Sequence, residues 1–309
     1  MIYTLTTNPA VDMNITSDSL RVNTVTRTRD ATYTPNGKGL NVTFTLRHFG
    51  VESTVLGFFG GFSGKYIVDG CVARNVAVQP VWVEDITRVN VFLNDRSGEY
   101  NLVNAGPFVP REKQDELLKL LKTLETPEVL CISGSLPRGI DTAYYEEVLS
   151  VCAERGIDVV LDISSPKLKE LLSYRPLLIK PNDDELRDVF GLEVRTEAEV
   201  IAAMKELHAL GARNVLLTLG ARGAYFSNGT ALYACGIYPV KVYSTACAGD
   251  ATLGGFLSVW LNDQTQVVDA LKRGAACGAS AAESAALGGF ARVEAYAREI
   301  AVHPVKEGA

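Results

Sequence analysis

The sequence predicts an α/β fold built on a mostly parallel central sheet, with a small β-sheet standing off it. Two observations carry this. Strand-length apolar runs alternate with helical stretches through the second half of the chain, and two other segments show strand texture with no helix between them. Residues 129–132 form one apolar run, followed by a Gly/Ser/Pro loop and a helical stretch at 142–154. A run at 157–162 leads to helical 167–172. A further run at 177–180 leads, past Pro181, to helical 183–190 and 197–210, then to a strand at 214–219. Strands separated by helices of this length need crossover connections, which make neighbours parallel and cover both sheet faces. The exceptions are residues 13–34, rich in Thr, Val and Arg with period-two texture, and residues 88–104. The latter read as strands 89–94 and 99–103 about the turn Asp95-Arg96-Ser97-Gly98. The expected organisation is a main α/β domain of residues 1–11, 35–87 and 105–309, with residues 12–34 and 88–104 forming a β lid.

Composition narrows the function. Thirty Lys and Arg stand against 36 Asp and Glu, a formal net charge of −6, so no global basic field would draw nucleic acid or an anionic membrane. An anionic ligand has to meet local cations or helix N-termini instead. The start Met1-Ile2-Tyr3-Thr4-Leu5-Thr6 has neither the charged nor the apolar region of a signal peptide, and no uncharged apolar run reaches membrane-span length. The six cysteines contain no Cys-x-x-Cys pair and the three histidines lie far apart, so no metal-ligand spacing is present. A reduced, cytoplasmic setting is expected, with Cys71, Cys131, Cys152 and Cys277 as small buried hydrophobes.

The most informative segment is Ser244-Thr245-Ala246-Cys247-Ala248-Gly249-Asp250-Ala251-Thr252, read as a strand at 240–243, a small-residue loop and a helix starting near Asp250. Small residues admit close backbone approach, and the first amides of a helix are unpaired and positive, which suits charge building on a transferring phosphoryl group. A carboxylate there can take the proton of an attacking hydroxyl; read alone, Asp250 equally fits a plain N-cap worth about 1 kcal/mol. A helix N-terminus should also keep this carboxylate ionised, available but weakly basic.

Pro35-Asn36-Gly37-Lys38-Gly39-Leu40-Asn41 precedes a helix at 42–49 and delivers backbone clearance together with a cation, a fit for a phosphate. Asp12 follows the first strand and suits sugar hydroxyls, and Arg88 begins the hairpin and suits bidentate phosphate contact. Ser133-Gly134-Ser135 and Lys180-Pro181-Asn182-Asp183-Asp184-Glu185 both follow strands, where ligands of open α/β sheets sit. The second carries oxygen ligands suited to Mg²⁺. Thr218-Leu219-Gly220-Ala221-Arg222-Gly223 is a strand-end turn with room for a nucleotide.

In this order along the chain, the segments resemble the ribokinase-like (PfkB-type) carbohydrate kinases. Within that family the phosphosugar kinases stand nearest, 1-phosphofructokinases first and tagatose-6-phosphate kinases next. The resemblance runs from Thr6-Thr7-Asn8-Pro9-Ala10 to a small-residue helix at 274–287 and rests on Gly37-Lys38-Gly39-Leu40-Asn41 and Ala248-Gly249-Asp250. It implies a three-layer αβα fold with a β lid, which in this family often pairs subunits into a homodimer. It also implies ATP and Mg²⁺ as cofactors and a phosphosugar as acceptor: fructose 1-phosphate first, with tagatose 6-phosphate or fructose 6-phosphate as alternatives. Asp250 would be the base, and the amides of Ala248, Gly249 and Asp250 the anion hole. Asp12, Gly37, Gly39 and Asn41 would hold the sugar, with Lys38, Arg88, Ser135 and, less directly, Arg27 near its phosphate. Asn182 and Glu185 would organise Mg²⁺. Lys180, Thr218, Gly220, Gly223 and Gly278 would line the nucleotide site.

Two residues depart from the family pattern. Cys247 stands where a Gly is usual, and a Cβ there would strain the loop if that position required positive φ. A catalytically weak sugar-phosphate sensor is the corresponding alternative. Asn36 also replaces a usual Gly, a milder change because Asn tolerates left-handed backbone.

Overall fold

The computed structural model describes residues 1–306. The chain opens with β1 (Ile2–Thr6), β2 (Ala10–Thr16), β3 (Arg29–Asn36), helix α1 (Lys38–His48), β4 (Ser53–Gly60), α2 (Gly61–Val72) and β5 (Ala77–Val83). The hairpin β6 (Arg88–Asp95) and β7 (Gly98–Leu102) follows. Alternation then sets in with α3 (Arg111–Thr123), β8 (Val129–Ser133), α4 (Tyr144–Arg155), β9 (Asp158–Asp162), α5 (Leu168–Leu171), β10 (Leu178–Ile179), α6 (Asp183–Glu185), α7 (Glu197–Leu210) and β11 (Val215–Thr218). The C-terminal part contains β12 (Ala224–Ser227), β13 (Leu232–Cys235), α8 (Ala248–Trp260), α9 (Val267–Ala282), α10 (Val293–Glu299) and β14 (Val302–Pro304).

Ten strands make one sheet in the order β14-β13-β12-β11-β10-β9-β8-β1-β4-β5. It is parallel from β5 to β11 and antiparallel through β12, β13 and β14. Successive side chains of β8 point to opposite faces. Leu130 and Ile132 join the core under α3 and α4, whereas Val129 and Cys131 join the core under α8 and α9. Both faces are therefore dry, which explains why these strands are continuous apolar runs without alternation. Each large side chain buried this way contributes about 1.5–3 kcal/mol.

The second sheet has the order β3-β2-β6-β7. Its centre is a parallel pair, with Ala10 opposite Arg88 and Asp12 opposite Asn90, so two segments distant in sequence present their first residues side by side. The expected small sheet is present, and its strands extend slightly beyond the expected limits, to Ala10 and Asn36.

Two elements differ from expectation. Helix α1 begins at Lys38 rather than 42, which places Lys38, Gly39 and Asn41 in its first turn. Residues 240–243 form no strand. The sheet edge beyond β13 is already taken by β14, and the Tyr243 and Ser244 amides bond instead to the Ala282 carbonyl at the end of α9.

Helices α1, α8 and α9 pack at glycine-limited distance. A Cβ on Gly254 would lie 2.6 Å from Thr45 Cβ, one on Gly255 2.6 Å from Cys277 Sγ, and one on Gly278 2.3 Å from Thr252 Oγ1. The small-residue stretches at the C-terminal end of the sequence are thus packing surfaces that draw the N-termini of α1 and α8 together. Gly255→Val should destabilise the protein by about 1–3 kcal/mol, as overpacking does, measured as a lowered urea midpoint.

Candidate active site

The site lies at the C-terminal ends of the parallel strands, where β1, β8, β9 and β10 give way to loops and the first turns of α1 and α8 point inward. Gly37, the N-cap of α1, has φ +146°, a conformation side chains rarely adopt, and a Cβ on Gly39 would collide with Thr6 Oγ1 at 2.3 Å. Glycines at these two positions let α1 start directly against the end of β1.

A chain of amides links the two carboxylates predicted from sequence. Asp250 Oδ2 accepts from Asn41 Nδ2 at 2.9 Å, and Asn41 Nδ2 also reaches Asn36 Oδ1 at 2.8 Å. Asn36 Nδ2 donates in turn to Asp12 Oδ2, while Asn90 Nδ2 donates to Asp12 Oδ1 at 2.9 Å. Both carboxylates are buried. Burial pushes Asp12 above the ordinary carboxylate range, against the opposing effect of its two amide donors and Arg88. Asp250 is pushed up to about 6, first by burial and then by the nearby Asp162 carboxylate; Lys38, Asn41 and Lys180 act in the other direction.

A second cluster is built on Asp162, at the end of β9. Its Oδ1 lies 3.1 Å from Lys180 Nζ and 3.4 Å from Lys38 Nζ. Burial alone would raise the Asp162 pKa, but the two ammonium groups outweigh it and hold the carboxyl below its usual value. Asp162 in turn is the largest influence holding Lys38 charged. A Cβ on Gly249 would lie 3.4 Å from Lys180 Nζ, so this ammonium faces the first turn of α8. Asp162 Oδ2 is buried without a hydrogen-bond partner.

Around this centre, Arg88 donates to the Asn8 carbonyl at 2.9 Å and the Asn104 carbonyl at 3.1 Å, leaving a buried Nε unpaired. Burial lowers the Arg88 pKa, opposed by Asp12. Ser135 is held at the same place, its Oγ 3.4 Å from Asn8 Nδ2 and its carbonyl 2.8 Å from Thr7 Oγ1. Asn182 and Glu185 cap α6 reciprocally, with Asn182 Oδ1 accepting from the Glu185 amide at 2.7 Å. Glu185 Oε1 accepts from Ser164 Oγ at 2.5 Å, and Glu185 is close enough to contribute to the charge of Lys38. Thr218 bridges to Asn182 at the end of β11, followed by Gly220 and Gly223 at φ +56° and +89°.

Two predicted residues stand apart. Arg27 is exposed in the connection between β2 and β3 and makes no ion pair among the described residues. Gly278 is buried in α9 against Thr252, so its immediate role is helix packing.

The family model for pfkB carbohydrate kinases matches residues 6–290. The chain belongs to the pfkB family of carbohydrate kinases. The D-tagatose-1-phosphate kinase of Klebsiella oxytoca is 46% identical over 98% of this chain and 99% of that protein. The D-tagatose-1-phosphate kinase of Bacillus licheniformis is 38% identical over the same shares. The crystal structure of phosphofructokinase-2 from Escherichia coli in complex with substrates and products superposes with a TM-score of 0.90 at 26% identity, covering 96% of this chain and 98% of that one. The membership establishes an ATP-dependent carbohydrate kinase of ribokinase-like fold, for which ATP and a divalent cation are general requirements. No helix among the described residues is long and apolar enough to cross a membrane.

Within this carbohydrate kinase, several sequence expectations change. Cys247 has φ −102° and ψ 2°, so its Cβ carries no left-handed strain; its side chain is buried, 3.5 Å from Asn41 Nδ2, and burial pushes the thiol up to about 12. It is thus a buried, neutral thiol beside Asn41. All six cysteines are buried, as expected for the four in apolar stretches. The helix N-terminus does not hold Asp250 at low pKa, because desolvation and Asp162 prevail. Asp162 and Asn90 escaped sequence reasoning, since neither belongs to a motif. The usable signal for Asp162 was a lone carboxylate ending a buried apolar run.

Because Asp250 titrates near 6 in the fold against about 4 in an unfolded chain, its ionised form costs stability above pH 6, and that cost disappears below pH 4. Asp250→Asn should therefore unfold at a higher temperature than wild type at pH 8, with the difference shrinking as the pH approaches 4, as followed by differential scanning calorimetry.

Proposed function

We propose that this carbohydrate kinase transfers the γ-phosphoryl group of ATP to the free primary hydroxyl of a ketohexose 1-phosphate, with Asp250 as general base. The observation that carries the reading is the buried Asp250 carboxylate at the start of α8, clamped by Asn41 and raised to about 6. Such a base is ionised at neutral pH yet basic enough to share the acceptor proton. Asp12 and Asn41 would orient the sugar, Arg88 with its unpaired Nε and Ser135 would meet the existing phosphate, and Lys38 would draw it in. Lys180 and the amides of Ala248, Gly249 and Asp250 would receive the charge developing on the transferred group.

The residues present fit Mg²⁺. The partnerless buried oxygen of Asp162, which lies beside Lys180, and the side-chain oxygens of Glu185 and Asn182 are donors of the kind Mg²⁺ takes. Glu185 and Asn182 are occupied by their reciprocal cap, so most of the coordination would come from water and phosphate oxygens. When bound, the ion neutralises nucleotide phosphate charge. Thr218, Gly220 and Gly223 would border the nucleotide.

Tagatose 1-phosphate is favoured over fructose 1-phosphate, the acceptor that the family resemblance put first. The support is the 46% and 38% identity to two proteins named for the former. A coupled ATP/Mg²⁺ assay over tagatose 1-phosphate, fructose 1-phosphate, tagatose 6-phosphate and fructose 6-phosphate should give the highest kcat/KM with a 1-phosphate. A 6-phosphate preferred tenfold or more refutes the assignment. With the best acceptor, Asp250→Ala should lower kcat by at least about 10²-fold, and wild-type kcat/KM should fall as the pH drops below 6.

The small sheet would act as a lid and, in a homodimer, as the subunit contact. Val22 and Val25, in the β2–β3 connection, and Leu102 and Val103, at the end of β7, expose apolar side chains, Val22 and Val25 almost fully. Val25→Glu combined with Leu102→Glu should convert a dimer into a monomer in light scattering. A wild-type monomer at micromolar concentration rules this contact out.

A further inference from the structure

Asn36 occupies the gap between the two carboxylates of the site. Its amide orientation follows from its partners. The Gly37 N–H can only donate, so Asn36 Oδ1 faces it at 2.5 Å, and Nδ2 then faces Asp12 Oδ2. Asn36 Oδ1 also accepts from Asn41 Nδ2 at 2.8 Å, and the same Asn41 nitrogen reaches Asp250 Oδ2 at 2.9 Å. Asn41 has two amide hydrogens and no other strong acceptor in reach; the Cys247 sulfur lies at 3.5 Å. The plane of the Asn41 amide is therefore set from one side by Asn36 and from the other by Asp250. Asn36 itself is anchored at the start of α1 through Gly37, whose φ of +146° leaves no side chain to do this work.

We infer that Asn36 is a positioning residue that couples acceptor capture at Asp12 to the orientation of Asn41 and hence of Asp250. The inference rests on Asp12 and Asp250 having the roles proposed above. One side chain thereby serves both carboxylates. Its NH₂ group supports Asp12, its carbonyl oxygen holds Asn41, and a residue lacking either half breaks one link while sparing the other. A glycine at 36 makes none of these contacts. An aspartate keeps the acceptor half toward Gly37 and Asn41, but cannot donate to Asp12 and sets a second carboxylate beside it.

The two halves separate in steady-state kinetics with tagatose 1-phosphate and fructose 1-phosphate as acceptors. Asn36→Gly should raise the acceptor KM and lower kcat, each by about tenfold, the scale of one hydrogen bond to a charged group. The KM for ATP should stay within twofold. Asn36→Asp should raise the acceptor KM more than Asn36→Gly does while lowering kcat less. Circular dichroism and thermal midpoints establish that each variant is folded; if the glycine variant is not, Asn36→Ser takes its place with the same expectations. Acceptor KM and kcat both within twofold of wild type in the Gly or Ser variant overturn the inference. So does a parallel rise in the KM for ATP, which marks general disorder of the site. Failure of the underlying base assignment reads out separately, as an Asp250→Ala enzyme with undiminished kcat.

Discussion

The close approach of α1 and α8 is the constraint on which the site depends. Two helices can bring their first turns within hydrogen-bond reach only if nothing holds their axes apart, and the Gly254 contact with Thr45 removes the Cβ that would. The Asn41–Asp250 bond is the consequence. On the far side of α8, Gly255 and Gly278 allow α9 the same proximity, so the start of α8 is gripped between two helices and the sheet. Rigid support of this kind holds the Asp250 side chain in one geometry.

That rigidity is used to bury charge. Asp162 and Asp250 are both sequestered, with Lys38 and Lys180 as the compensating cations. The two carboxylates respond in opposite directions: Asp162 touches both ammonium groups and is held low, whereas Asp250 has an amide as its nearest donor and is pushed up. One environment thus sets two neighbouring carboxylates apart in acidity. Against a net charge of −6, Lys38 and Lys180 are concentrated in this one cluster.

The small sheet brings a charged pair of its own to the site. Its parallel β2/β6 pair sets Ala10 and Asp12 against Arg88 and Asn90, and Arg88 reaches back to the Asn8 carbonyl. Any movement of this sheet therefore carries a carboxylate and a guanidinium together, while Asn36, at the last position of β3, ties the same sheet to the first turn of α1.

The sequence by itself determined the alternation of strands and helices, the separate small sheet, and the two segments that meet in the candidate site. These are local properties: apolar periodicity, glycine before a helix, and a carboxylate at a helix start each leave a mark within a few residues. Asp250 and Lys38 stood out as candidates for that reason, whereas Asn41, Asp12 and Arg88 drew their expected roles from the family resemblance. Only the tertiary structure decided what acts on them. Asp162 lies 124 residues from Lys38 and Asn41 lies 209 from Asp250, and such distances leave no periodic trace. The same holds for the backbone of Cys247, which could be judged strained or relaxed only once its φ was known, and for 240–243, whose strand-like residues met a sheet edge already taken. Electrostatics changed most. From sequence, the helix N-terminus was the only neighbour in view of Asp250, and it argued for a low pKa. Folding added burial and a second carboxylate, and those two effects reversed the sign.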